Sequence, residues 1–375
     1  MEARNRVALV LGANAGQADL IRYLGERGWN VTACAHRPGG AGAKLANEFR
    51  LQNITDVAGV TALAREIGAE LIYSVSSDIA VPAVVEASAA LGLPYYFDRA
   101  LVALLDDKAA LRAKLNAANL SVVPYVRAHA IEDCAAWSTY PCMVKPADSQ
   151  GQRGVAKVLA VEDFEPALEN AIALSPTRTA IVEAWLDGVE ISYNVLVAGG
   201  QVIVNEVSER LIHGDHLVGV PRGHLIPPVE VDAEVCIQGA ELVEAVTTLL
   251  GIRDGALYFQ MKATSDGPRI IEIAPRLDGC HIWRLMKLAR GVDFLDLSVR
   301  RLLGEDVVAD AIGVPADGVY ELMFQQAQPG AVFRSGDFPK PADSLYHEYR
   351  YDDGETILPI NGRLEVVGYY IRKRP

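Results

Sequence analysis

Residues 7–11 form a continuous apolar run that stops at Gly12, the pattern of a strand buried on both faces. Beyond Gly12-Ala13-Asn14-Ala15-Gly16 the period becomes helical, with Leu20, Ile21 and Leu24 on one face and Gly28 as a stop signal. A second apolar run covers 31–35, a helix is predicted at 60–67, a strand at 71–74, and a helix at 81–91 that closes on Gly92. Strands alternating with helices across short glycine turns predict an open, doubly wound α/β sheet. The pattern changes later in the chain. Residues 258–262 and 269–273 alternate around Ser265-Asp266-Gly267-Pro268, a hairpin signal that sets Gln260 and Glu272 on neighbouring strands. Residues 277–302 carry Trp283, Leu285, Leu288, Phe294 and Leu297 at core-packing helical spacing. From 318 onward only short strands remain (320–324, 331–333, 346–351, 365–371), bounded by Pro-Gly, Asp-Gly and Asn-Gly turns, which predicts a small β-rich region over the active site.

Composition narrows the function classes. A chain of 375 residues, half of it hydrophobic, is long enough for two or three domains. The net charge of -13 disfavours a nucleic-acid partner, because a phosphate backbone attracts an excess of Lys and Arg. No apolar run reaches membrane-spanning length, and the N-terminus has no signal-peptide cleavage pattern, so no membrane partner and a cytoplasmic location are expected. Cys34, Cys134, Cys142, Cys236 and Cys280 are scattered and odd in number, which speaks against a disulfide framework or a zinc site.

Residues 141–155 read PCMVKPADSQGQRGV. Small, polar and glycine residues after a strand suit a loop whose backbone amides meet an anion, with Lys145 as a point charge. The same residues also suit a β-hairpin with a long polar turn. They do not fit a Walker A loop, in which the lysine follows the glycines. At the N-terminus the glycines are spaced GxxxG, and His36 and Arg37 stand where a dinucleotide site needs an acid, so that reading is set aside. Ser76, Ser77 and Asp78 sit where open sheets meet ligands, and they equally suit an N-cap. Residues 208–228 carry His213, His216 and His224 and read as a loop; the histidines are read as structural or substrate-lining, not as zinc ligands.

Lys145-Pro146-Ala147-Asp148-Ser149, then Gly151 and Arg153-Gly154-Val155, resembles the phosphate loop of the ATP-grasp superfamily, specifically its carboxylate-amine ligases and carbamoyl phosphate synthetase-like members. The resemblance covers roughly residues 100–300. Asp107-Lys108 matches a pair that supplies Lys108 to ATP phosphates, and Lys145, Ser149, Gln150, Gly151 and Gly154 would cover them. Residues 179–195 match the adenine hinge: Ala184, Trp185 and Leu186 would meet the adenine edge, Glu183 its amino group, and Glu190 the ribose hydroxyls. Gln260 and Glu272-Ile273-Ala274-Pro275-Arg276 match the metal hairpin, with Glu272 and Gln260 as Mg²⁺ ligands (Mn²⁺ as a substitute). Ala274 replaces the usual asparagine, which removes one ligand. Lys145, Glu272 and Arg276 would be catalytic, and Arg210, Arg222, His224 and Arg276 would hold a substrate carboxylate.

The resemblance implies a Rossmann-like pre-ATP-grasp domain at 1–105, an ATP-grasp domain at 106–310 with its lid at about 120–184, and a small β-rich subdomain at 311–375. The implied activity is ligation: a substrate carboxylate is activated by ATP as an acyl phosphate and coupled to an amine, in a homodimer. The alternatives are carbamoyl phosphate synthetase-like activation of bicarbonate or carbamate, suggested by Gln260, and a non-catalytic nucleotide-binding protein, suggested by Ala274.

Overall fold

The computed structural model describes residues 6–149, 153–214, 219–359 and 364–374. The first of three sheets is wholly parallel. It consists of β1 (Val7–Leu11), β2 (Asn30–Ala35), β3 (Glu48–Leu51) and β4 (Leu71–Tyr73), in the order β3-β2-β1-β4. Parallel neighbours need crossover connections, supplied here by α1 (Ala15–Glu26), α2 (Ala41–Leu45) and α3 (Val57–Glu66), with α4 (Val81–Leu91) following β4. Asn14 caps α1 by accepting from the Gln17 amide. The edge strand β3 shows no apolar run because its residues are only partly buried or exposed. Gly16 has a packing reason: a Cβ there would lie 2.4 Å from Ser76 Oγ, so the GxxxG glycine lets the helix close on the loop after β4.

Two further helices, α5 (Arg99–Asp106) and α6 (Lys108–Ala117), lead to the second sheet. Asp106 ends α5, and Asp107 caps α6 by accepting from the amides of Ala109 and Ala110. The second sheet is antiparallel: β5 (Tyr125–Ala128), β6 (Cys142–Pro146), β7 (Ala156–Val158) and β8 (Ala180–Ala184) run in the order β5-β8-β6-β7. With α7 (Phe164–Leu174) it encloses its own small core around Val144, Val182, Phe164 and Leu168.

The third sheet has eight strands: β9 (Val189–Ala198), β10 (Gln201–Ile212), β11 (Pro221–Ile226), β12 (Gly255–Thr264), β13 (Gly267–Ala274), β14 (Tyr320–Ala327), β15 (Tyr346–Tyr349) and β16 (Glu365–Lys373). Their order is β13-β12-β9-β10-β11-β14-β16-β15. Helices α8 (Ala233–Leu249), α9 (Ile282–Arg290) and α10 (Phe294–Leu302) complete the chain's main elements. One core forms between this sheet, α5, α6 and α8, and another joins α9 and α10 to the parallel sheet.

Three expectations need correction. Residues 208–228 are not a loop: Ser208–Ile212 lie in β10 and 221–226 in β11, paired antiparallel, while His216 lies outside the described residues. The turn-rich tail does not build a sheet of its own, since β14 pairs with β11 and carries β16 and β15 onto the large sheet. Short strands from one segment cannot report which older edge they will join. For 277–302 only the start differs: the helical core packing holds for 282–302, as two helices divided at Gly291 with φ 69°, whereas 277–281 precede the first helix. No helix among the described residues is long and apolar enough to cross a membrane.

Candidate active site

A cavity of about 920 Å³ opens between the second and third sheets. Its roof comes from β6. Lys145, near the end of that strand, is buried and meets Glu183 of β8 at 2.5 Å (Nζ to Oε2). The other Glu183 oxygen accepts from Arg112 Nε at 2.7 Å, and the Arg112 Nη2 donates to the Ile270 carbonyl of β13 at 2.7 Å. One buried Arg112–Glu183 pair thus ties α6, the roof sheet and β13 together. Burial alone would raise the Glu183 pKa, but Lys145 and Arg112 outweigh it and pull it down to about 2.

The loop after β6 is pinned from below. The Lys108 backbone amide donates to Ala147 O at 3.0 Å, and its Nζ donates to Ser149 O at 2.9 Å. Asp148 accepts from Ser175 Oγ and the Thr177 amide, and Ser149 Oγ donates to Leu174 O. Lys108, Lys145, Ser149 and Gly154 all line the cavity. Gln150 and Gly151 lie outside the described residues.

At the hinge, the Ala184 amide donates to Pro124 O and that of Trp185 to Pro141 O. The Leu186 amide has no partner among the described residues, so of the three it is the one available to a ligand. Trp185 is flanked by Lys157 Nζ, 4.0 Å from its ring centroid. The chain then turns at Gly188, with φ 131°, where a Cβ would fall 2.1 Å from Ala263 O. Glu183 and Glu190, the two carboxylates expected to meet nucleoside atoms, both line the cavity and both also face cations. Glu183 holds its two cations, and buried Glu190 accepts from Arg210 Nη1 at 2.6 Å and Gln260 Nε2 at 3.0 Å, with Lys262 Nζ at 3.6 Å.

The cavity floor is the hairpin β12–β13. Gln260 and Glu272 are directly opposed across the antiparallel pair, so their side chains share a face. Glu272 has no hydrogen bond or ion pair to any described residue; Gln260 spends its Nε2 on Glu190, leaving Oε1 as an acceptor. Just beyond, Arg276 forms a bidentate pair with Asp78, Nε to Oδ1 at 2.5 Å and Nη2 to Oδ2 at 2.6 Å. Asp78 stands in the turn after β4, so the parallel sheet reaches the cavity through this pair.

The inner end is walled by β10, β14, β16 and the segment after β13. Arg210, Tyr258, Asp278, Cys280, Phe324 and Val366 line it. Two expected substrate residues stand elsewhere. Arg222 is exposed and does not line the cavity: the β10–β11 register shifts beside it, Leu211 facing Gly223 and Ile212 facing Pro221, so Arg222 is the extra residue of a bulge and leaves the alternation that would have placed it with buried His224. His224 is fully buried behind the wall, with Nδ1 3.2 Å from Ser208 Oγ and Nε2 4.0 Å from Asp278 Oδ2. Burial pushes its pKa down to about 4. His213 instead meets Gln326 at 2.7 Å. Sequence reasoning missed Arg112, Arg350 and the pairing of Asp78. An arginine in an amphipathic helix or a Tyr-Arg-Tyr run carries no sign of what it will face.

Two antiparallel sheets closing on one charged cleft, with a parallel sheet at its side, define the class: an α/β protein with a cleft between its sheets. Residues 138–283 match the ATP-grasp domain family, so this stretch of the chain carries an ATP-grasp domain. It is similar to the carbamoyl phosphate synthase large chain of Kocuria rhizophila, with 28% identity over 141 residues, covering 36% of this chain and 12% of that protein. It is 36% identical over 102 residues to a D-alanine–D-alanine ligase of Synechococcus, covering 24% of this chain and 29% of the ligase. The chain therefore spans less than a third of the length of either relative. Among solved structures, the biotin carboxylase domain of Hydrogenobacter thermophilus 2-oxoglutarate carboxylase, a dimer in complex with MgADP, ADP and bicarbonate, superposes with a TM-score of 0.81. That match has 17% identity over all of this chain and 87% of the other.

Proposed function

We propose that this chain is an ATP-dependent ligase. It activates a substrate carboxylate as an acyl phosphate and couples it to an amine, releasing ADP and phosphate. The observation that carries the reading is that Lys145 of the roof and Glu272 of the floor, 127 positions apart in sequence, line one cleft together with Lys108 and Arg276. Such a transfer needs little covalent help from the protein: it needs positioned cations around the migrating phosphoryl group. Lys108 and Lys145 would take the phosphates, with the loop at Ser149 and Gly154 closing over them. The Leu186 amide would take the adenine edge beside Trp185. The Lys145–Glu183 contact holds the ammonium in place before the nucleotide arrives, which lowers the ordering cost of binding.

The donor set fits a hard divalent cation. A free carboxylate and an amide oxygen on one face match the few protein oxygens that Mg²⁺ takes alongside phosphate and water, and Mn²⁺ accepts the same ligands. When bound there, the ion would neutralise charge on the phosphates. Ala274, buried at the end of β13, supplies no oxygen, which supports one protein-held cation rather than two. Arg276, paired with Asp78, would face the carboxylate being phosphorylated. Residues 1–105 would act as the pre-ATP-grasp domain, 106–310 as the ATP-grasp domain, and 311–375 as the substrate-side wall. The relatives' metabolic reactions support a cytoplasmic enzyme, and the dimeric carboxylase domain supports a homodimer.

The test is ADP release measured with a panel of carboxylic acids and amines. Release that needs both partners and Mg²⁺ is expected. Tight MgATP binding with no turnover on any pair would refute a ligase and leave a nucleotide-binding protein.

A further inference from the structure

Four cations that line the cleft are matched by carboxylates, whereas Lys108 and Arg350 meet none among the described residues. Lys145 has Glu183, Arg210 and Lys262 share Glu190, and Arg276 has Asp78. The Nζ of Lys108 has, among the described residues, only the Ser149 carbonyl, and it stands at the end assigned above to phosphate. Arg350 is at the other end. It lines the cavity from the loop after β15, and no carboxylate among the described residues comes within ion-pair distance of it. Its Nε is shut off from solvent and has no hydrogen-bond partner among the described residues.

The guanidinium is nonetheless held in place. Its Nη2 lies 3.0 Å from His281 Nε2, and His281 Nδ1 lies 2.9 Å from Asp19 Oδ2. A guanidinium can only donate, so His281 accepts at Nε2 and carries its proton at Nδ1, donating to Asp19. Tyr369 stacks on the imidazole at 4.4 Å between centroids. Asp19 itself is fully occupied, since it also accepts from Trp283 Nε1 and pairs with Arg284 and Arg22. Glu348, the other carboxylate of the neighbourhood, is taken by Arg22, Tyr346 and Tyr369. Burial pushes the Arg350 pKa down, as follows when a cation loses water and gains no counter-charge. A cation placed this way costs free energy in the empty protein, and an arriving oxyanion recovers it.

We propose that Arg350, oriented by the Asp19–His281 relay, anchors an oxyanionic group of the substrate at the inner end of the cleft. The substrate would therefore be an organic acid whose charged group meets Arg350 while its body lies against Phe324 and Val366. This deepens the ligase reading and rests on it for the word substrate; the anion site itself does not need the nucleotide. A carboxylate or a phosphate would satisfy the same fork of donors.

Thermal unfolding of the full chain tests it, in separate arms with succinate, L-leucine and inorganic phosphate, all without nucleotide, and in a parallel arm with MgADP. In the wild type at least one anion is expected to raise Tm by about 3 °C or more at saturating concentration. A response to the first two arms identifies a carboxylate, and a response to phosphate identifies a phosphorylated substrate. Arg350→Met is expected to lose the anion response and keep that to MgADP. Arg350→Gln, neutral but still able to donate to His281, is expected to do the same and decides the matter if the methionine variant does not fold. No anion response in the wild type, or one that persists in Arg350→Gln, overturns the proposal. Loss of the MgADP shift in the wild type would instead count against the nucleotide reading.

Discussion

Glu183→Gln is the sharpest probe of how the roof of the cleft is held. The substitution keeps the shape of the side chain and removes the charge that Lys145 and Arg112 share. The Glu183 carboxyl titrates at an ordinary 4.5 unfolded and at about 2 folded. Because the folded value is depressed, its contribution is present above pH 4.5 and is lost as pH falls through 2. A gap of about 2.5 units at ~1.4 kcal/mol each makes Glu183 worth about 3 kcal/mol at pH 7. At pH 3 the unfolded chain is already protonated, and the contribution falls to about half by the same linkage. Urea unfolding of wild type and variant at both pH values measures it, since every other carboxylate cancels in the difference. The variant should be less stable by about 3 kcal/mol at pH 7 and by about half that at pH 3. An equal deficit at both values would refute the triad as an electrostatic device.

Other consequences are quicker to check. Glu272→Gln should lower Mg²⁺-dependent ADP release on the order of 10²-fold with little change in Tm, because the carboxylate has no partner among the described residues to lose. His224→Gln should flatten acid destabilisation between pH 6.5 and 4: the native ring resists protonation down to about 4, so the unfolded chain takes the proton first and stability falls across that window. Gly188→Ala should cost about 2 kcal/mol or more in urea unfolding, given the 2.1 Å approach to Ala263 O at positive φ. Arg222→Ala should leave turnover unchanged within twofold, since its exposed side chain lies outside the cleft.

Local pattern carried a great deal. Continuous apolar runs at β1 and β2, the hairpin with Gln260 opposite Glu272, and the helix at Val81–Leu91 were legible because each depends on residues near one another in the chain. The lysines and the acidic hairpin were legible through resemblance, as residues in order at a family's spacing. Pairings between distant segments were not. Glu183 and Glu190 read as ligand-binding carboxylates and both line the cleft, but the cations from other elements that folding brings onto each carry no local signal in the chain. His224 and Arg222 sit two positions apart on one strand, but His224 is sealed in the interior and Arg222 is turned to solvent. The sequence by itself determined which strands and helices form and which groups of charge are available. Which cation is left without a partner, as Arg350 is, only the tertiary structure decided, because a buried charge is defined by its neighbours in space and not by its neighbours in the chain.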